Sequence, residues 1–178
     1  MLTVRKTGDG SVGTLVPLEF HQASGSQPVP IMLYVFMQPE ETCFKIIADA
    51  VADIWNTRFA PNNDEAAYPD GFDMGHASIK ILCTLFNDKD EFADEEAAFR
   101  FLATLRTVDD PSVLNKLKQW VKDILGELNK LGNTIAITAF NAIDMNSKLA
   151  PFSQTIRDPQ IEGTKLKCSV WPLVAQVK

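Results

Sequence analysis

The chain has 178 residues, 46% of them hydrophobic and 22% charged, which suits a single domain with one sizeable core. Its net charge of −6 argues against a general nucleic-acid binder, because phosphate contacts need an excess of Lys and Arg. The sequence has no run of eighteen apolar residues that could cross a membrane, and its first ten residues lack the apolar core of a signal peptide. We therefore expect one cytoplasmic domain over residues 1–178, with neither a membrane nor a nucleic acid as partner.

The three cysteines, Cys43, Cys83 and Cys168, are odd in number and lie far apart in the chain. They form no CxxC pair, so the spacing predicts neither a disulfide framework nor a zinc site. Cys43 and Cys83 stand in apolar patterns typical of buried thiols. A reducing compartment agrees with this usage.

Residues 1–37 are predicted to consist mainly of β-strands and turns. Residues 2–6 and 12–20 alternate between apolar and polar, which predicts an N-terminal hairpin around a glycine-rich turn. Gly8, Gly10 and Gly13 match the GxGxxG spacing of dinucleotide sites, but the β-rich segment that follows contains Pro17 and offers no helix start for a phosphate. We expect no cofactor there. Residues 29–37 are almost uniformly apolar, which predicts a central strand buried on both faces.

A helix is predicted from Pro39 to about Arg58, with Glu40 and Glu41 in its first turn, and we expect it to cover a face of the sheet. The next stretch, residues 60–76, holds turn residues without a sustained period, so we expect a long loop. Within it Asp70, Asp73 and His76 could ligate a divalent cation or supply a general base. Their spacing matches no EF-hand and no HExxH motif, and acidic turn residues also explain the composition.

Alternation over residues 79–86 predicts another strand, and the segment from residue 88 to about Arg106 predicts a second helix. The strongest helix signal covers residues 109–132: Asp110 as N-cap, Pro111 at the first position, an apolar stripe at steps of three and four, and Gly132 as a left-handed stop. The short link between these two helices predicts an antiparallel helical hairpin. Alternation over 134–140 and 165–171 predicts further strands, and residues 152–157 a possible short one.

Charge is unevenly distributed along the two later helices. Residues 88–96 carry a net charge of −5 from six carboxylates and Lys89, whereas residues 111–131 carry a net charge of +2. Solvated helix surface is the simple interpretation; the alternative is a face that docks a basic protein partner or the lysine-rich helix of the same or another subunit. The candidate partner-binding residues are Asp88, Asp90, Glu91, Asp94, Glu95 and Glu96.

Together these patterns predict an α+β domain: a mixed or mostly antiparallel sheet with an N-terminal hairpin, one covering helix and a long α-helical hairpin. No catalytic motif agrees with its sequence context. The leading hypothesis is a non-catalytic binding or assembly protein, such as a subunit of a cellular or viral particle or an acidic adaptor, that binds a protein or itself. The alternative is a small metal-dependent enzyme or ligand-binding domain that uses the loop from Asp70 to His76.

Overall fold

A computed structural model describes residues 31–59, 74–153, 161, 163–170 and 173–177. These residues form an α+β fold, as the sequence predicts. In chain order the elements are β1 (Ile31–Met37), α1 (Glu40–Ile54), a π-helical turn (Trp55–Phe59), α2 (Met74–Leu85), a 3-10 turn (Asp90–Phe92), α3 (Glu95–Leu102), α4 (Pro111–Asn129), β2 (Thr134–Ala139), α5 (Ala142–Ser153) and β3 (Val174–Val177). The predicted hairpin of residues 2–6 and 12–20 lies outside the described residues.

The described strands form one antiparallel sheet in the order β2-β1-β3. The central position of β1 confirms the prediction from its apolar run, but burial on both faces is wrong. Ile31, Leu33, Val35 and Met37 face the core, whereas Tyr34 is exposed on the opposite face. A strand of one sheet needs only one covered face, and apolar residues on the other face leave the backbone pairing unchanged.

The long helix α4 has the ends that the sequence predicts. The Asp110 side chain accepts a hydrogen bond from the Ser112 amide at 2.9 Å, Pro111 stands at the first helical position, and Gly132 has a φ of 90° two residues beyond the C-cap Lys130. Its buried stripe is Val113, Leu117, Val121, Ile124, Leu125 and Leu128. This stripe packs on α1, whose own buried residues are Cys43, Ile47, Ala50, Val51 and Ile54.

The predicted strand over residues 79–86 is wrong, because residues up to Leu85 belong to α2. The buried positions Ser78, Ile79, Leu82 and Leu85 follow helical spacing, and α2 packs against α1. A hydrogen bond of 3.0 Å from the Ser78 hydroxyl to the Asp53 carboxylate joins the two helices. The apolar residues of this stretch, interrupted by Lys80 and Thr84, fit the period of a strand and that of a helix, so packing against α1 selects the helix.

Two further strand predictions fail near the C-terminus. Residues 152 and 153 end α5, which the sequence analysis did not predict, and residues 154–157 lie outside the described residues. Leu166, Cys168 and Val170 are buried and Lys165 and Lys167 are exposed, as the alternation predicts, but Ser169 on the predicted exposed side is also fully buried. They adopt no strand, however, and β3 begins only at Val174. This segment therefore lies on the core without pairing to any strand that the structure describes.

Candidate protein-binding face

His76, one of the three candidate metal ligands, lies in the first turn of α2 and not in a loop. Its Nδ1 is 3.4 Å from Glu95 Oε2, so it faces the acidic segment. Asp70 and Asp73 lie outside the described residues. Among the residues that the structure describes, no three His, Cys, Asp or Glu side chains come together as metal ligands. A metal site at Asp70, Asp73 and His76 stays a prediction, which calorimetric titration with divalent cations would test.

The acidic segment starts its helix later than the sequence suggests. The chain passes through turns and the 3-10 turn before α3 begins at Glu95, with Asp94 as N-cap accepting a hydrogen bond of 2.7 Å from the Ala97 amide. Glu95 and Glu96 are thus in the first turn of α3, whereas the predicted helix from residue 88 would place them beyond its first turn. Carboxylates there are stabilised by the unpaired amides of the helix start. This local effect explains half of the six acids.

Of the remaining three carboxylates, Asp88 and Glu91 have cationic partners, and so does Glu96 of the first turn. Asp88 pairs with Lys89 at 2.8 Å, and Glu91 pairs with Lys116 of α4 at 2.5 Å. Glu96 lies 3.6 Å from Arg100, one turn along α3, and both side chains are more than two thirds exposed. The predicted pairing of acidic segment and lysine-rich helix therefore occurs within one chain at Glu91. Asp90 is exposed.

An aromatic cluster lies directly beneath these charges. Its rings are those of Phe86, Phe92, Phe101 and Trp120, with neighbouring centroids between 5.4 and 6.2 Å apart in tilted or edge-on arrangements. Such contacts stabilise beyond the area that they bury. Phe101 and Trp120 also bring the two successive helices α3 and α4 into contact.

Two ammonium groups stand over this cluster. Lys116 Nζ is 5.2 Å from the Phe101 centroid and 5.1 Å from the Trp120 centroid, and Lys89 Nζ is 5.8 Å from the Trp120 centroid. These distances are within the range of cation–π attraction. The Lys116 side chain, which donates to Glu91, also holds the pKa of that carboxyl below its usual range, with help from the Glu91 backbone amide.

Beside Lys116 the surface opens into a depression of about 440 Å³, lined by Asp90, Glu91, Ala97, Arg100 and Phe101. Its lining combines the carboxylates of Asp90 and Glu91 with the ring of Phe101. We call this depression, together with residues 88–96, the acidic face. Sequence reasoning found its carboxylates but not its aromatic residues, because Phe86, Phe101 and Trp120 come from three separate segments and each alone reads as a core residue.

The cysteines do not offer a nucleophile at neutral pH. Burial raises the pKa of the Cys43 thiol to about 11 and that of the Cys83 thiol to about 12. Burial likewise raises the pKa of Cys168 to about 12. All three are free, and a thiol in such a setting stays protonated and unreactive.

Comparisons with protein-family models, curated proteins and solved structures find no match for this chain. In the described part of the chain, no helix has the length and apolar character needed to cross a membrane.

Proposed function

We propose that this chain is a non-catalytic binding or assembly protein whose acidic face receives a basic segment of a protein partner. The observation that carries the proposal is the environment of Lys116. Its ammonium group contacts a carboxylate and two aromatic rings at once. A surface that holds a lysine of its own chain in this way has the chemistry to hold a lysine or arginine of another.

The depression next to Lys116 supplies room for a second cation. Asp90 and Glu91 provide negative charge at its rim, and Phe101 provides a ring surface on which an aliphatic stem can lie. Arg100 also lines the depression and can pair with a carboxylate of the partner. Basic peptides with an occasional acid therefore suit this surface better than uniformly basic ones.

The net charge of the segment adds long-range attraction. A local charge of −5 within a chain of net −6 raises the encounter rate with basic partners and repels acidic ones, including nucleic acids. Because exposed charges are screened by salt, binding through this face weakens as ionic strength rises. This dependence separates docking from burial of apolar surface.

The test uses a short peptide rich in Lys and Arg, titrated calorimetrically into the full chain at low and at high salt. We expect binding at low salt, weakening at high salt, and loss in the double variant Glu95→Lys/Glu96→Lys. The matched control is Glu41→Lys/Asp49→Lys, which changes the net charge equally at exposed positions of α1. Phe101→Ala should also weaken binding, since it removes the ring surface.

Equal loss of binding in both double variants would mean that the peptide senses only net charge, and the proposal would be wrong. The same conclusion follows if Phe101→Ala and the Glu95/Glu96 reversal leave binding unchanged. Circular dichroism and thermal melting of each variant verify that the chain remains folded.

A further inference from the structure

In the part of the chain that the structure describes, the sheet ends at β2, which pairs with β1 on one side. Among the described strands β2 has a single neighbour, so one row of its backbone amides and carbonyls points away from the sheet. Natural edge strands are usually guarded against further pairing by charges, prolines or bulges within the strand. The sequence of β2, TIAITA, contains none of these.

The lack of charge extends well beyond the strand. Residues 132–143 contain no Asp, Glu, Lys or Arg, although the chain as a whole is 22% charged. Two large apolar side chains in this segment are strongly exposed, Phe140 by 72% and Ile143 by 80%. An uncharged edge flanked by exposed apolar residues is typical of a surface that pairs with another strand.

The sequence of the strand points to its partner. Residues 134–138 read TIAIT, a palindrome centred on Ala136. When such a strand pairs antiparallel with a second copy of itself about a two-fold axis at Ala136, each residue meets its own kind: Thr134 faces Thr138, Ile135 faces Ile137, and Ala136 faces Ala136. Threonine pairs and β-branched pairs across strands are stabilising.

We propose that two copies of this chain associate by antiparallel pairing of their β2 strands, with the two-fold axis at Ala136. The inference rests on the proposed function as an assembly protein and names a second copy as one partner. Identical chains of net charge −6 repel each other over most of their surfaces. At residues 132–143 they meet without that repulsion.

Gly132 and Phe140 flank β2 at its two ends, so the same two-fold axis brings Phe140 of one copy near Gly132 of the other. Gly132 has open space where a side chain would stand, so the ring can lie across that backbone. The exposure of Phe140 in the single chain then has a use in the dimer.

One side chain of the single chain opposes this pairing. Lys148 of α5 donates from Nζ to the Thr138 carbonyl at 2.7 Å and also pairs with Asp144 at 3.2 Å. A lysine that occupies a backbone acceptor of an edge strand hinders the addition of another strand. Its side chain is nearly half exposed and flexible, so a second copy can displace it.

The test is sedimentation velocity of the full chain over a range of concentrations, with Ala136→Lys and Ala136→Glu measured alone and mixed in equal amounts. Ala136 is exposed, so neither change disturbs the core. Each variant alone brings like charges together at the axis and should weaken the dimer about fivefold. The mixture should recover at least the affinity of the unmodified chain, because opposite charges then meet.

The matched control is Ala103→Lys mixed with Ala103→Glu, at an exposed position just after α3. These variants should dimerise as the unmodified chain does, alone or mixed. Phe140→Ser, which changes no charge, should weaken the dimer independently. An unmodified chain that stays monomeric, or a dimer that ignores both Ala136 variants and their mixture, would overturn the inference.

These outcomes are separate from those that test the acidic face. Loss of peptide binding in Glu95→Lys/Glu96→Lys concerns the proposed function alone. Self-association that persists in Ala136→Lys but disappears at high salt would leave that function standing while contradicting pairing through β2. Salt-resistant dimers broken by Ala136→Lys would support the β2 interface whatever the peptide does.

Discussion

The acidic face and the β2 edge are two surfaces of opposite character on one small fold. The acidic face is rich in charge, and most of its carboxylates already have partners within the chain. The β2 edge carries no charge over twelve consecutive residues and exposes Phe140 and Ile143. The density of charge therefore does not by itself identify the surface with the most groups still available for contacts with another molecule.

Both surfaces depend on α4, which carries Lys116 at the acidic face and leads into β2. Leu117 and Leu128 of this helix are fully buried. We expect Leu117→Ala or Leu128→Ala to lower the free energy of unfolding by about 2 to 5 kcal/mol, the range for truncating a large core side chain. Urea denaturation measures this loss, with Asn115→Ala on the exposed side as the control. Unchanged midpoints would mean that α4 does not organise the fold.

Salt offers the sharpest contrast between the two surfaces. Peptide binding at the acidic face should weaken about tenfold or more from low to high ionic strength, because salt screens exposed ion pairs. Dimerisation through β2 should stay constant or strengthen, since it buries apolar groups and backbone hydrogen bonds. Titration and sedimentation in the same buffers measure both. A parallel response would show that the two processes share one surface.

Acid should affect the acidic face and the start of α4 together. The Lys116 side chain lowers the pKa of Glu91, and the Ser112 hydroxyl, followed by the Arg106 and Ser112 amides, lowers that of Asp110. A carboxyl whose pKa is lower in the folded state stabilises above its unfolded pKa, about 4, and loses this contribution as the pH falls through the folded value. Stability should therefore be constant near neutrality and decline below about pH 4.

Glu91→Gln tests the acidic-face share of that decline. Thermal melting at neutral pH should show a lower midpoint for the variant. The difference in midpoint should narrow in acid, where Glu91 of the unmodified chain is protonated in the folded and in the unfolded state. Asp49→Asn, at an exposed position of α1, serves as the control. A gap that stays constant from neutral pH to pH 3 would show that the Lys116 pair does not contribute through its charge.

The smallest expected effect concerns Lys148. Lys148→Ala frees the Thr138 carbonyl, so dimerisation should tighten about two- to fivefold, in line with the modest value of an exposed contact. Sedimentation measures it, with Lys130→Ala as a control, since this exposed lysine pairs with Glu127 of the helix that it ends. Weaker dimerisation of Lys148→Ala would place the lysine among the groups that support the interface.

Local sequence signals were sufficient to predict those elements for which several such signals indicate the same conformation. For α4 the cap, Pro111, the apolar stripe and Gly132 all act through neighbours in the chain, and the structure has each of them. The strands β1 and β2 follow from apolar runs and alternation in the same way, as does α1 from Pro39 and its acidic first turn. Agreement of independent local signals leaves one conformation favoured.

Long-range packing sets the conformation of the segments whose residue pattern fits both a helix and a strand. Residues 79–85 alternate like a strand, yet they form part of α2 because a helix can pack its Ile79 and Leu82 against α1. Residues 165–168 alternate in sequence and in burial, but Ser169 breaks the alternation, and none of the described strands pairs with this segment. The aromatic rings beneath the acidic face likewise come from separate segments. The period of the apolar residues shows which side of a segment is buried, whereas long-range packing sets which neighbour buries it.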